Sequence, residues 1–105
     1  MAEDGTPIRA RIRLLPSNES GRTAPIVGGT HYRPNHNFLS ARNMGRGSID
    51  LPQGVLLHPG ESIDIEMTLF AWPVDTDLSP GREWRIQEGG QLVGMGTVLA
   101  LLGGG

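Results

Sequence analysis

The stretch of residues 84–102 constrains the fold more than any other part of this chain. Its first arm alternates apolar and polar side chains, which is the period of a half-buried β-strand. Gly89 and Gly90 then supply the positive φ angles of a tight hairpin turn. In the apolar second arm, Gly94 and Gly96 lie on one face of a strand, where they permit a bend or the close approach of another backbone. This stretch therefore predicts the closing hairpin of a β-barrel or β-sandwich.

The rest of the chain is also typical of short strands joined by turns. Residues 8–15 and 62–72 alternate apolar with polar side chains, and residues 48–51 form a shorter run of the same kind. The 16 glycines and 8 prolines favour turns over helices, and no long stretch has a helical period. Because turn residues recur between the strands, the pattern predicts an all-β closed barrel or a sandwich.

The length of 105 residues predicts a single domain, over residues 6–102, with flexible tails at residues 1–5 and 103–105. The acidic start has no apolar core behind it and so does not have the pattern of a signal peptide. The longest apolar run is far shorter than the ~20 residues of a membrane-spanning helix. We therefore expect a cytoplasmic protein without membrane association. Because there is no cysteine, disulfides and thiolate metal sites are excluded.

The first predicted strand places Arg9, Arg11 and Arg13 on one face. A regular basic row of this kind can follow the phosphates of a nucleic acid. The alternative is a solvated face whose charges are matched by Asp64 and Glu66, if the strand that carries them is a neighbour. The net charge of −2 does not indicate attraction of the whole molecule to nucleic acid, and this favours the matched ladder.

The chain offers little catalytic chemistry. It has no lysine, which excludes the phosphate-binding loop of nucleotide-binding enzymes, so we expect no bound nucleotide and no other cofactor. His31, His36 and His58 lie in or near predicted turns without a third ligand at hand, so we expect solvated side chains and no metal site. No carboxylate pair has a catalytic setting and no serine has a base nearby. We therefore expect a binding protein and not an enzyme.

Five short motifs occur in the same order, and at near-matching spacing, in one known domain. They are Gly21-Arg22-Thr23-Ala24-Pro25, Tyr32-Arg33-Pro34, Ile49-Asp50-Leu51-Pro52-x-Gly54-Val55, Pro59-Gly60-Glu61 and Ile86-x-Glu88-Gly89-Gly90-x-x-Val93-Gly94-x-Gly96. On these motifs, over residues 6–102, the chain resembles the third, C-terminal domain of bacterial elongation factor Tu. The resemblance implies a six-stranded closed antiparallel β-barrel, here as a stand-alone domain.

In that family the third barrel contacts the T-stem backbone of aminoacyl-tRNA. Carried onto the matching positions, the resemblance implies an RNA- or partner-binding set made of Arg22, Arg33, Asn35, Arg46, Glu88 and Gly89. The arginines would contact phosphates, the amide and the carboxylate would contact 2′-hydroxyl groups, and the glycine would let the RNA backbone approach. The alternative for Arg33 and Glu88 is an ion pair that joins two loops.

The chain departs from the family pattern on this surface. Thr23 replaces a histidine, Gln87 and Gln91 replace arginines, and residues 35–47 are rewritten. Over the chain as a whole, the resemblance implies a binding module for a translation component, either tRNA or a translation factor. The alternatives are an interaction or decoy protein that uses the same barrel for an unrelated protein partner, and a family member that does not bind RNA. An apolar face freed from sister domains would also permit weak self-association.

Overall fold

The computed structural model describes residues 6–29, 32, 34–37, 47–69 and 79–102. Within them the chain forms seven β-strands and one helical turn, which confirms the predicted all-β class. In chain order the elements are β1 (Thr6–Leu14), α1 (Ser17–Ser20), β2 (Ile26–Val27), β3 (Asn35–Asn37), β4 (Leu56–Leu57), β5 (Ser62–Leu69), β6 (Glu83–Glu88) and β7 (Gln91–Leu101). The predicted tails, at residues 1–5 and 103–105, lie outside the described residues.

The strands form a five-stranded sheet in the order β3-β6-β7-β1-β5 and a separate two-stranded ribbon of β2 and β4. Every ladder between these strands is antiparallel. The predicted six-stranded closed barrel is not formed by the ladders of the described residues, whose main sheet is open. Residues 38–46 and 70–78 lie outside the described ranges.

The strands β1 and β7, which come from opposite ends of the sequence, are neighbours inside the main sheet. The pairing continues beyond β7, where the backbone N–H of Leu102 donates to the carbonyl oxygen of Pro7 at 3.0 Å. The pairing shifts by one residue between Arg9 and Ala10, because β7 carries an extra residue there. The fold is therefore held by contacts between residues that are distant in sequence.

The hairpin of β6 and β7 has the predicted tight turn at Gly89 and Gly90. Of these two glycines, Gly89 has the predicted positive φ angle, at 60°, and Gly90 does not. Gly96 lies directly opposite Trp84 in the ladder. A Cβ atom on Gly96 would lie 2.3 Å from the Trp84 ring, closer than side chains can pack. The neighbour that needs the space at Gly96 is therefore a side chain, the indole. The predicted close approach of another backbone is found at Gly94, where a Cβ atom would lie 2.6 Å from the carbonyl oxygen of Arg13.

The core lies on the inner face of the main sheet and under the ribbon. In β1 the inner face carries the predicted apolar set, and the outer face carries the arginines. The buried apolar side chains are Ile8, Ala10, Ile12, Leu14, Leu15, Ile26, Ile49, Leu51, Leu57, Ile65, Met67, Leu69, Trp84, Ile86, Val93 and Val98. No helix in the described ranges has the length and apolar character needed to cross a lipid bilayer.

The pairing with carboxylates that was predicted for Arg9, Arg11 and Arg13 is present for two of the three. The Arg11 guanidinium donates to both carboxylate oxygens of Asp64, at 2.8 and 3.1 Å, and this hydrogen bonding lowers the pKa of Asp64. Arg9 lies 3.7 Å from Glu66. Arg13, however, pairs in register with Ser62, which has no charge to offer.

Some local elements differ from the expectation. The predicted polar loop after β1 contains the helical turn α1, which ends at Gly21 with a φ angle of 76°. The predicted strand at residues 48–51 is reduced to one bridge between Ile49 and Tyr32. The long strand predicted over residues 62–72 is described as far as Leu69.

Candidate functional site

The loop after α1 meets the turn between β6 and β7. At Gly21, a Cβ atom would lie 2.8 Å from the side-chain nitrogen of Gln91, so the two segments are in close contact. The left-handed conformation of Gly21 ends α1 and turns the chain into this loop. The next residue, Arg22, is tied back to the helical turn because its backbone N–H donates to Ser20 Oγ at 3.1 Å.

Arg22 and Glu88 form an ion pair across this contact, from Nη1 to Oε2. The side chains are 20% and 36% exposed, so the pair is partly shielded from water. The second terminal nitrogen of Arg22 donates to the carbonyl oxygen of Pro25 at 3.4 Å. The guanidinium is therefore fixed between its own loop and the hairpin turn. Its Nε atom is buried and has no hydrogen-bond partner among the described residues.

Tyr32 completes the cluster from a third segment of the chain. Its hydroxyl donates to the same Oε2 atom of Glu88 at 2.5 Å, and its ring centroid lies 5.2 Å from the Arg22 guanidinium carbon. Burial raises the pKa of the Tyr32 hydroxyl, and the hydrogen bond to Glu88 raises it further. Three segments that are far apart in sequence are thus joined at one carboxylate oxygen.

The arrangement limits what chemistry the cluster can perform. The positive charge of Arg22 is balanced by Glu88, so the pair is nearly neutral as seen from a distance. Both donors use Oε2 of Glu88, and no group in the described segments is hydrogen-bonded to Oε1. Next to it, Gly89 is exposed, and a Cβ atom there would meet nothing within 4 Å. The surface therefore offers one acceptor oxygen and a bare, accessible backbone.

Three of the six predicted site residues come together here, namely Arg22, Glu88 and Gly89. The backbone of Asn35 lies in β3, where it pairs with Gln87, the residue before Glu88. Arg33 and Arg46 lie outside the described residues. The alternative ion pair of Glu88 with Arg33 is therefore untested, and the ion pair that the structure describes for Glu88 is with Arg22.

The residues that differ from the family pattern lie around the same cluster. Thr23 is exposed in the loop, and Gln91 is exposed at the start of β7, against Gly21. Gln87 is half-buried and precedes Glu88 in β6. Of the two positions where the resemblance implies lost arginines, Gln91 thus lies against the residue before Arg22, and Gln87 precedes the glutamate that Arg22 contacts.

The interpretation of His36 as a solvated loop histidine is wrong. His36 lies in β3 and is completely buried, with its ring edge-on to Trp84. The indole N–H of Trp84 donates to His36 Nδ1 at 2.9 Å, and Nε2 lies 2.9 Å from the carbonyl oxygen of Gly47. Because Nδ1 accepts, the proton is on Nε2 and the ring is neutral. Burial lowers the pKa of His36, which agrees with a neutral ring.

Sequence reasoning also missed the role of Tyr32, although it noted the triplet that contains it. The available signal was that a buried tyrosine or tryptophan needs a hydrogen-bond partner for its polar atom. That rule would have directed attention to nearby carboxylates and histidines but would not have selected Glu88 or His36. In the described segments, no group of three histidine, aspartate or glutamate side chains could hold a metal ion.

No family model matches the chain. Over 89 residues the chain is 36% identical to elongation factor Tu 2 of Streptomyces avermitilis, and this match covers 85% of the chain. The matched region is 21% of that protein, so the chain spans about a fifth of the length of this relative. The resemblance drawn from the motifs is confirmed as sequence homology to a part of that protein, and it fits a unit like the third domain.

Proposed function

We propose that this chain, homologous to a part of elongation factor Tu, is a non-catalytic binding module that docks on a component of translation. The component that its geometry suits best is tRNA. The observation that carries the proposal is the cluster of Arg22, Tyr32 and Glu88 beside the bare turn at Gly89. A cytoplasmic location belongs to the same proposal, because translation components work there.

The cluster matches the chemistry of an RNA backbone at two points. The Oε1 atom of Glu88, to which no group in the described segments is hydrogen-bonded, can accept a hydrogen bond from a ribose 2′-hydroxyl, which is the group that distinguishes RNA from DNA. The exposed backbone at Gly89 lets a phosphate or a ribose approach without a side chain in the way. Arg22 would then position the carboxylate and contribute a weak electrostatic attraction, since its charge is already paired.

The homology also supports the predicted closed barrel. We propose that the chain forms the six-stranded closed barrel that the resemblance implies. In such a barrel, Arg33 and Arg46 would add cations to the cluster. These two positions would then carry the salt-dependent part of RNA binding, which the neutral pair of Arg22 and Glu88 does not supply.

A protein partner is the second candidate, and one observation favours it. The net charge of −2 and the internal pairing of Arg22 give the described site little long-range attraction for RNA. A translation factor, or an unrelated protein in a decoy role, does not need such attraction. Weak self-association belongs here too, because Val27 and Leu56 are about half exposed and face each other across the ribbon of β2 and β4.

The test is a titration of labelled protein with bulk tRNA at low and at moderate salt. We expect saturable binding that weakens as salt rises, and an affinity about threefold to tenfold lower for Glu88→Gln and Arg33→Ala. Arg9→Gln is the matched control for the loss of one arginine, because Arg9 lies on the outer face of the sheet beside Glu66. Its affinity should stay within about twofold of the parent.

The titration also has outcomes that oppose the proposal. An absence of binding at low salt would remove tRNA as the ligand and leave the protein partner. Equal losses in Arg33→Ala and in the Arg9→Gln control would show non-specific attraction rather than a site. DNA of the same length serves as the comparison, since a contact to 2′-hydroxyl groups requires RNA to bind more tightly.

A further inference from the structure

The outer face of the main sheet carries two neighbouring rows of side chains with different charge. In the first row, Arg11 lies between Asp64 on β5 and Thr97 on β7, and Glu83 on β6 follows Thr97. Two acids accompany one arginine in this row. The second row, which we call the arginine row, is made of Ser62, Arg13, Met95 and Arg85, in that order across β5, β1, β7 and β6. It contains no acid.

The two cations of the arginine row are open to solvent. Arg13 and Arg85 are both exposed, and among the described residues neither forms an ion pair or a side-chain hydrogen bond. Both are in register with Met95, so their strands are separated by two sheet spacings, roughly 10 Å. Met95 lies between them and is partly exposed. The row therefore presents two guanidinium groups on either side of a flexible apolar side chain.

This composition suits a protein segment better than a nucleic acid. Arginine and methionine are enriched in the centres of protein interfaces, where the thioether adapts its shape to an apolar partner. A phosphate backbone would gain nothing from Met95. A polyanion that continued past the row would also meet Glu83 in the next row, where like charges repel.

We propose that the arginine row docks an acidic segment of a partner protein, with one apolar side chain on Met95 and a carboxylate on each of Arg13 and Arg85. Guanidinium groups hold carboxylates through paired, charge-assisted hydrogen bonds, which gives such a contact direction as well as attraction. Glu83 in the neighbouring row would oppose the sliding of a longer acidic segment across the face. This surface is separate from the cluster at Glu88 and does not depend on the function proposed for that cluster.

The probe is a fluorescein-labelled peptide with the central pattern Glu-Ser-Leu-Ser-Glu, in which the three larger side chains share one face when the peptide is extended. Binding is followed by fluorescence anisotropy at low salt and by the backbone amide NMR spectrum of the labelled protein. We expect saturable binding, with shifts concentrated in β1, β6 and β7 around the arginine row. The double variant Arg13→Gln, Arg85→Gln should bind about tenfold more weakly or not at all.

Two controls make the result specific. Arg9→Gln removes an arginine from the same face, but one that already faces Glu66, and should bind like the parent protein. A peptide with glutamine in place of both glutamates should not bind. All substituted positions are exposed, so the variants should keep the thermal stability of the parent.

Three outcomes would overturn the proposal. They are no saturable binding by the parent protein at low salt, an unchanged affinity in the double variant, and amide shifts confined to the turn at Gly89. A single-stranded RNA oligonucleotide is tested in parallel. Tighter binding of that RNA, lost in the double variant, would assign the arginine row to nucleic acid instead.

Discussion

At the scale of single residues, His36 shows how a polar side chain can be required by the core. Its neutral ring accepts from the Trp84 indole and donates to the Gly47 carbonyl, so both nitrogen atoms are satisfied without water. A protonated ring could not accept at Nδ1 and would turn the N–H groups of two side chains toward each other. The protonated state is therefore opposed by geometry as well as by burial.

The lowered pKa of His36 predicts that stability falls in mild acid. Above the unfolded-state pKa, about 6.5, the ring is neutral in both states and the contribution to stability is complete. As the pH falls from there toward the folded-state pKa, the unfolded chain binds a proton that the folded protein resists, and stability is lost. Urea unfolding at neutral pH and at pH values below about 6 would measure this loss.

His36→Gln is the matched control for that experiment. The amide oxygen can accept from the Trp84 indole and the amide nitrogen can donate to Gly47, but the side chain does not titrate in this range. We expect this variant to fold and to lose most of the decline in stability between neutral and mildly acidic pH. A decline as steep as in the parent would assign the pH dependence to other groups.

The residues of the candidate site also differ in how far the sequence predicts them. Arg22, Glu88 and Gly89 were predicted from their motifs, and the structure brings them together. Tyr32 and His36 were not predicted, because their partners are 56 and 48 residues away in the chain. A local pattern records which face of a strand a residue occupies but does not record which distant atom it meets there.

At the scale of elements, the hairpin of β6 and β7 depends on one missing side chain. Gly96→Ala would place a methyl group 2.3 Å from the Trp84 ring, whose indole is already held by His36. We expect a loss of about 1–3 kcal/mol in the free energy of unfolding, since an overpacked core must move side chains or backbone. Chemical denaturation at neutral pH would measure it.

Gly90→Ala is the control for the same hairpin. A methyl group there meets nothing within 4 Å, and Gly90 is not among the glycines with a positive φ angle. We expect a change within about 0.5 kcal/mol. Equal effects of the two substitutions would show that chain flexibility, rather than the indole, explains the glycine at position 96.

The strands that the sequence predicts are longer than the strands that it does not predict. β1, β5 and the hairpin are long enough for alternation to repeat, so their inner faces could be read from the sequence. The ribbon of β2 and β4 has two residues in each strand and no period to detect. Such short strands form because the tertiary structure brings their backbones together, which a local pattern cannot show.

At the scale of the whole molecule, the order of the strands predicts cooperative unfolding. β7 is the central strand of the main sheet and pairs with both β6 and β1, so the strands on either side depend on it. We expect unfolding curves from tryptophan fluorescence and from far-ultraviolet circular dichroism to coincide. Trp72→Phe would leave Trp84 as the only tryptophan, so that fluorescence reports the core alone. An earlier transition by either method would reveal a part of the sheet that unfolds separately.

The hydrogen bond between Leu102 and Pro7 has a consequence for how this unit can be combined with other proteins. It places the entry and the exit of the described fold on neighbouring strands, about 5 Å apart. A host polypeptide could therefore leave its own structure and return to it through a gap as narrow as that of an ordinary surface loop. This unit could therefore be inserted into such a loop without stretching its own backbone or that of the host. Its two ends could equally be joined and the chain opened at another place.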